Sequence, residues 1–387
     1  MIWSASLEGA LTELLVAVFG SGTRIAHRQP LSRRAACVSR LFLRRPSGNP
    51  GSVIIKHVPA ERFVPGAVPD APEFREEQVV HRFLAGIGAE SGLKPALLGF
   101  DPAGLLLLED LGPIGNPVAR SFAELVPRLA RAMARLHGRT LDQETTYLEL
   151  RRQAGLGPVA TDGRYHGVMR EAERAADGRA GLASMVSPWE TPAVRRTLER
   201  EFDAVVALVE NYPGRRALIH DDLGNARQTF EIGTETYLLD FEYSHYAPPF
   251  YELTKTLLGK FETNTETGEY LLASPNMPLA FAEQHRVLMD RDYGLRLADE
   301  EWEETLAACL IYAALTLLGN LAATGHRRTL RGSVQDDINR ILDRLTLVLR
   351  PFRPFAVIRS IVTRYRAAPA AQNVHKLHSL AKSARQG

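Results

Sequence analysis

Between residues 24 and 58 the chain alternates apolar and polar positions with period two or runs continuously apolar, in TRIAHRQPL, ACVSRLFL and SVIIKHV. The intervening SRR and RRPSGNPG are turn-like, so the pattern predicts three strands. Upstream, MIWSASLEGALTELLVAVFG is spaced as an amphipathic helix over 5–19, and Gly20-Ser21-Gly22-Thr23 ends it. Downstream, Pro69 to Pro72 interrupt the chain before EFREEQVVHRFLAGIG, where Val79, Val80, Phe83 and Leu84 keep helical spacing and Gly86 and Gly88 mark its end. Two further apolar runs, PALLGFD and GLLLLEDL, read as strands and lead into GPIGNP. After Ser121 the periodicity is helical. It predicts helices from SFAELVPRLARAMARLHG onward and over about 142–154, 166–176, 192–211, 250–260, 277–293, 299–324 and 334–349. One stretch, ALIHDDLGNARQTFEIGTETYLLDFE, breaks that texture with two strand-like pieces, QTFEI and YLLDF, joined by a Gly-Thr turn. Together these elements predict an α+β architecture: a small, mainly antiparallel sheet lobe over 1–112, and a larger helical lobe over 113–387 that carries a loop and hairpin at 219–242.

Composition narrows the class. With 387 residues, 45% hydrophobic and 24% charged, the chain has enough apolar material for a large core, and collagen-like or wholly disordered classes are excluded. The 47 basic and 45 acidic residues leave a net charge of +2, too balanced for general nucleic-acid binding, and no nucleic-acid partner is expected. The charge is nevertheless unevenly placed. No acid lies between Glu13 and Glu61, where eight basic residues fall, and none follows Asp343. Lysine is rare, so Lys56 in the acid-free stretch stands out. Two distant cysteines, Cys37 and Cys309, match no metal or disulfide spacing and point to a reducing cytoplasm. The uncharged run 305–325 is long enough to span a bilayer. Its threonines, Asn320 and the four preceding acids instead predict a core helix and no membrane span.

Five pieces then fall in one order: a Lys ending an apolar strand, a Glu early in the next helix, an apolar strand running into a hinge, an H-x-D loop, and an apolar strand ending in Asp-Phe. This order resembles the protein kinase-like superfamily. LLLLEDLG, ARAMARLHG, ALIHDDL and YLLDFEYSHYAPPFYELTKTL resemble its aminoglycoside phosphotransferase and choline kinase branch, over about residues 24–260. The resemblance implies a bilobal kinase-like fold and an ATP- and Mg²⁺-dependent phosphotransferase whose acceptor is the hydroxyl of a small molecule. It places Lys56 on the nucleotide phosphates, paired with Glu77 (Glu76 is the fallback). The Glu109 carbonyl and the Leu111 amide would hold adenine. Asp222 would orient the acceptor hydroxyl and take its proton, His220 would brace that loop, and Asp240, 18 residues after Asp222, would ligate Mg²⁺. A carboxylate suits proton acceptance because the hydroxyl proton leaves late, and a hard cation calls for a fixed carboxylate oxygen.

The chain also departs from the family pattern. Relatives carry a metal-binding Asn five residues after the base, where this chain has Arg227; Asn225 is taken as the second ligand, with Gln228 as a third option. An Arg at that position would instead suit a catalytically impaired protein that binds nucleotide or a small ligand without turnover. The turn QPLSRRAA has no glycine, and Ser32, Arg33 and Arg34 are its candidate phosphate contacts. If Glu262, Glu266, Glu269, Asp290, Asp292 and Asp299 converge, a cationic acceptor such as an aminoglycoside or another amino-bearing metabolite is expected. His375 and His378 lack metal partners, and the basic tail has no assigned role.

Overall fold

The computed structural model describes residues 3–31, 37–45, 51–59, 63–67, 71–112, 122–157, 171–186, 190–221, 223, 228–255, 257–258, 277–324 and 334–367. They fall into two compact units: residues 1–119, 143–158 and 227–244 in the first, and 120–142, 159–226 and 245–387 in the second.

The first unit is built on β1 (Arg24–Pro30), β2 (Val38–Arg44), β3 (Gly51–His57), β4 (Leu97–Asp101) and β5 (Leu105–Glu109), in the order β1-β2-β3-β5-β4. Every neighbouring pair is antiparallel. Helix α1 (Ala5–Phe19) starts where Ser4 Oγ accepts from the Leu7 amide at 3.2 Å and stops at Gly20, whose φ of +93° favours glycine. Its Leu7, Leu11 and Leu15 share one buried core with Leu41, Leu43, Val53 and Ile55 of the sheet. A Cβ at Gly99 on β4 would lie 2.9 Å from Val18 and 3.0 Å from Leu14, so the helix can close on the strand only over glycine. Side chains alternate across a strand. With Val53, Ile55 and His57 buried, and the His57 ring 5.2 Å from that of Trp3 at the start of the chain, Lys56 projects from the other face of β3. Helix α2 (Pro72–Gly86), opened by Pro72, supplies Glu76, Glu77, Val79, Val80, Phe83 and Leu84 as buried residues. Helix α4 (Glu144–Gln153) and the hairpin of β7 (Thr229–Ile232) and β8 (Glu235–Leu238) complete this unit, the hairpin turning at Gly233 with φ +58°. Strand β8 stops at Leu238, short of the expected YLLDF, because Asp240 adopts φ +65°, which a strand cannot contain.

In the second unit β6 (Ala217–Ile219) pairs with β9 (His245–Ala247) beside α3 (Phe122–Thr140), α7 (Pro249–Lys255) and α8 (Met277–Tyr293). Helix α9 (Asp299–Thr324) is long and apolar enough to cross a membrane, yet 78% of its apolar window is buried inside this unit. It packs on α5 (Glu171–Met185), α6 (Pro192–Glu210), α7 and α10 (Val334–Leu349). A Cβ at Gly319 would sit 1.9 Å from the Asp177 carbonyl and one at Gly181 would sit 2.3 Å from that of Leu315, so glycine on both helices sets how closely α5 and α9 approach. Helix α5 runs to Met185 rather than to 176. Helix α11 (Ala356–Ala367) and strands β6 and β9 are additional to the elements that periodicity predicts.

Candidate active site

Strand β3 delivers Lys56 and α2 delivers Glu77, and the two meet with Lys56 Nζ 2.5 Å from Glu77 Oε2. The same ammonium donates to Asp240 Oδ1, and Gln228 Nε2 lies 3.3 Å from Asp240 Oδ2. Glu77 is almost fully buried, whereas the Asp240 side chain keeps 32% exposure, so Asp240 is the member of the trio open to a ligand. After Asp240, the Phe241 ring packs edge-on against His81 of α2, with centroids 5.8 Å apart.

The cluster carries an excess of negative charge. Burial works to lower the Lys56 pKa, but the charges of Glu77, Asp240 and Glu242 outweigh it and hold the ammonium above its ordinary range. Glu77 is pushed up to about 7 by burial, an effect that Lys56 only partly offsets and Asp240 reinforces. Glu242 is raised as well, by burial and then by the Asp240 charge. Burial and mutual repulsion thus favour the protonated forms of Glu77 and Glu242, and the Lys56 ammonium works against both. The one-third-exposed Asp240 carboxylate is a hard oxygen donor of the type that Mg²⁺ takes, and Gln228 Nε2 donates to its Oδ2. Among the described residues no group of three or more His, Cys, Asp or Glu side chains is gathered for a metal.

Glu76, the alternative partner for Lys56, is otherwise engaged. It accepts from the Tyr147 hydroxyl and pairs with Arg151, both on α4. Adjacent residues on a helix point about 100° apart, so only one of the two acids can face β3. At the end of β5, Glu109 is tied to the Ala96 backbone, its amide donating at 2.9 Å and its Oε2 accepting at 3.1 Å. The segment that follows is braced from β2. Arg40 Nε and Nη2 approach the Asp110 carboxylate at 2.7 and 3.0 Å, Arg40 also donates to the Gly112 carbonyl, and Asp110 Oδ1 accepts from the Gly112 amide at 3.0 Å. Leu111, half-buried, lies between these anchors.

In the second unit His220 and Asp221 follow β6, and both amides donate at 2.9 Å to the carboxylate of Glu252 on α7. His220 is fully buried. The Asp221 carboxylate is buried, 4.0 Å from His245 Nδ1. Asp221 also holds φ +61°. Ser32, Asp222 and Asn225 lie outside the described residues, as do Arg33, Arg34, Arg227, Glu262, Glu266, Glu269, His375, His378 and the tail beyond 367.

Three participants carried no separable signal in the sequence. Glu242 and Glu252 sit inside quoted motifs, but neither residue type nor spacing distinguishes a buried acid from a solvated one. The Arg40–Asp110 brace joins residues 70 positions apart.

No family model and no curated protein matches this sequence. Similar solved structures include an aminoglycoside phosphotransferase from Alicyclobacillus acidocaldarius, with 14% identity, 89% of this chain and 93% of that chain covered, and a TM-score of 0.47. A choline/ethanolamine kinase family protein from Mesorhizobium loti shows 16% identity, 94% and 100% coverage and a TM-score of 0.45. The choline kinase of Streptococcus pneumoniae shows 12% identity, 88% and 99% coverage and a TM-score of 0.43, and it has also been solved in complex with AMP.

Proposed function

We propose that this chain is an ATP-dependent phosphotransferase acting on a hydroxyl of a small molecule. An aminoglycoside or another amino-bearing metabolite is the class of acceptor we favour. The observation that carries the reading is the buried Lys56–Glu77 pair sharing its ammonium with Asp240. Such an arrangement fixes a point charge for phosphate oxygens and leaves an exposed carboxylate beside it.

In this reading the acceptor oxygen attacks the γ-phosphorus of ATP, the bond from that phosphorus to the bridging oxygen breaks, and ADP leaves. The departing hydroxyl proton passes to the Asp222 carboxylate. Lys56 holds α- and β-phosphate oxygens, Glu77 fixes Lys56, and Asp240 with Gln228 would hold Mg²⁺. Bound there, the ion would neutralise phosphate charge. The Glu109 carbonyl and Leu111 amide would receive adenine on a segment that Arg40 and Asp110 keep in place.

Thermal melting with ATP, with and without Mg²⁺, tests the binding step. A ligand at about a hundred times its Kd adds about 2.7 kcal/mol to the folded state. The expected result is an Mg²⁺-dependent rise in Tm that Asp240→Ala abolishes, and a rise indifferent to Mg²⁺ sinks the assignment. Transfer from ATP to amino-sugar, amino-alcohol and nucleoside acceptors tests turnover, with Asp222→Asn expected to lower it by about 10²–10⁴-fold. Mg²⁺-dependent binding with no transfer to any acceptor would instead establish a silent binding protein.

A further inference from the structure

Behind the H-x-D segment runs a buried polar chain that the proposed chemistry does not itself use. Glu252 Oε2 accepts from the His220 amide and lies 2.8 Å from His137 Nε2, while Oε1 accepts from the Asp221 amide. His137 Nδ1 is in turn 2.9 Å from Nε2 of His285 on α8. All three side chains are 0–1% exposed.

The number of donors assigns the protons. An ionised Glu252 has room for two amides and a third N–H from His137 Nε2. A neutral His137 then presents a bare Nδ1, which the His285 Nε2–H fills. His285 Nδ1 is left as a lone pair, and that atom is buried with no hydrogen-bond partner among the described residues. The reverse polarity, with a proton on Glu252, would leave a buried N–H without an acceptor at His285 Nδ1, a costly state. The imidazoles are suited to stay neutral, since burial holds His137 at about 3 and His285 well below its ordinary value. Burial pushes the Glu252 carboxyl up to about 7 even though the His220 charge and the two amide hydrogen bonds pull it down, so a further N–H from His137 favours the ionised form.

We propose that His137 and His285 are positioning residues: through Glu252 they hold the main chain at His220–Asp221, the two residues that precede Asp222 in the sequence, in its observed conformation. The left-handed backbone at Asp221 gives the chain a task, because a non-glycine residue in that region relies on its surroundings to stay there. The kinetic consequence rests on the phosphotransferase reading; the hold on the loop does not.

Hydrogen exchange at the His220 and Asp221 amides reads the hold directly. The comparison is between the full-length protein, His285→Leu, His285→Gln and Tyr312→Phe, which loses a hydrogen bond elsewhere in the same unit. A net hydrogen bond is worth about a tenfold change in an opening equilibrium. The expected result is about tenfold faster exchange at these two amides in His285→Leu, no such change in Tyr312→Phe, and recovery in His285→Gln, whose amide can again donate to His137. Exchange in His285→Leu matching that of Tyr312→Phe overturns the proposal, whatever the kinetics. With an acceptor in hand, His285→Leu lowers kcat about tenfold with KM for ATP unchanged, and a change confined to KM overturns the positioning role. If exchange responds as expected but even the unaltered protein transfers no phosphate, the hold stands and the phosphotransferase reading fails.

Discussion

Lys56→Met removes the ammonium in contact with Glu77, and its cost should depend steeply on pH. In the intact protein Glu77 has a folded pKa raised to about 7, against 4.5 for the free side chain. Between those values the folded state keeps a proton that the unfolded chain has released, so stability falls as pH rises, by about 1.4 kcal/mol per unit. Above about pH 7 both states are ionised and the loss levels off. Without Lys56 the buried carboxylate has lost its counter-charge, and its folded pKa moves further up. The decline then continues past 7, and Lys56→Met becomes progressively worse than the unaltered protein, by about 2.7 kcal/mol from pH 7 to 9. At pH 6 the difference should be small, because protonated Glu77 needs no partner and methionine fills the space of the lysine stem. Urea unfolding at constant ionic strength from pH 6 to 9, read by tryptophan fluorescence, measures it. Glu77→Gln, which has no titrating group, should abolish the pH-dependent part when combined with Lys56→Met. A Lys56→Met penalty that is flat from pH 6 to 9, or one that survives in the double variant, would refute the view that Glu77 is ionised only because Lys56 pairs with it.

Burial holds His81 well below its ordinary value, with the charges of Lys94 and Lys56 adding to the effect. It stays neutral in the fold while the unfolded chain takes a proton near pH 6.5, so its stability contribution is complete above 6.5 and is lost as pH falls. His81→Leu should therefore reduce the loss between pH 6.5 and 5 by about 2 kcal/mol, seen as a smaller shift in urea midpoint. Gly319→Ala drives a methyl group into the Asp177 carbonyl and should cost about 1–3 kcal/mol or more in thermal melts. Gly9→Ala, inside exposed α1 with nothing within 4 Å, should instead stabilise by about 0.5–1 kcal/mol. Glu201 accepts from the Val357 and Ile358 amides at 3.2 and 2.9 Å, so Glu201→Ala should uncap α11 at a cost of about 1 kcal/mol and speed proteolysis near residue 356, with Glu201→Gln intermediate.

What the sequence made legible is what periodicity and local chemistry control. Strands β2 and β3 and helices α1 and α2 each bury a face of their own and β5 is apolar almost throughout, and that leaves a pattern within ten or fifteen residues. Strands β6 and β9 escaped notice because each has three residues and pairs with the other across a long gap, Ile219 facing His245. Helix α11 escaped for a related reason, since its first amides are satisfied by Glu201, more than 150 residues earlier. At the site, the rarity of lysine singled out Lys56, but the choice between Glu76 and Glu77 needed the position of α4. Only Arg151 and Tyr147 reveal that Glu76 is already taken.

Two of the three aspartates that adopt left-handed backbone among the described residues show how chemistry and conformation combine. Asp221 at φ +61° and Asp240 at φ +65° each break the local preference for extended backbone, and each is held by contacts from distant sequence: Glu252 on the Asp221 amide, Lys56 and Gln228 on the Asp240 carboxylate. Asp and Asn tolerate this region better than other non-glycine residues because a short polar side chain can bond locally. An aspartate is therefore favoured at both places before any reaction is considered. For Asp221, whose carboxylate is buried toward His245, conformation together with that contact accounts for the residue. For Asp240 it does not: the side chain is one-third exposed and adds negative charge to a cluster already short of cations. Conformation alone therefore accounts for Asp221 but not for Asp240, and the proposed role as a metal ligand is what would give the extra negative charge a use.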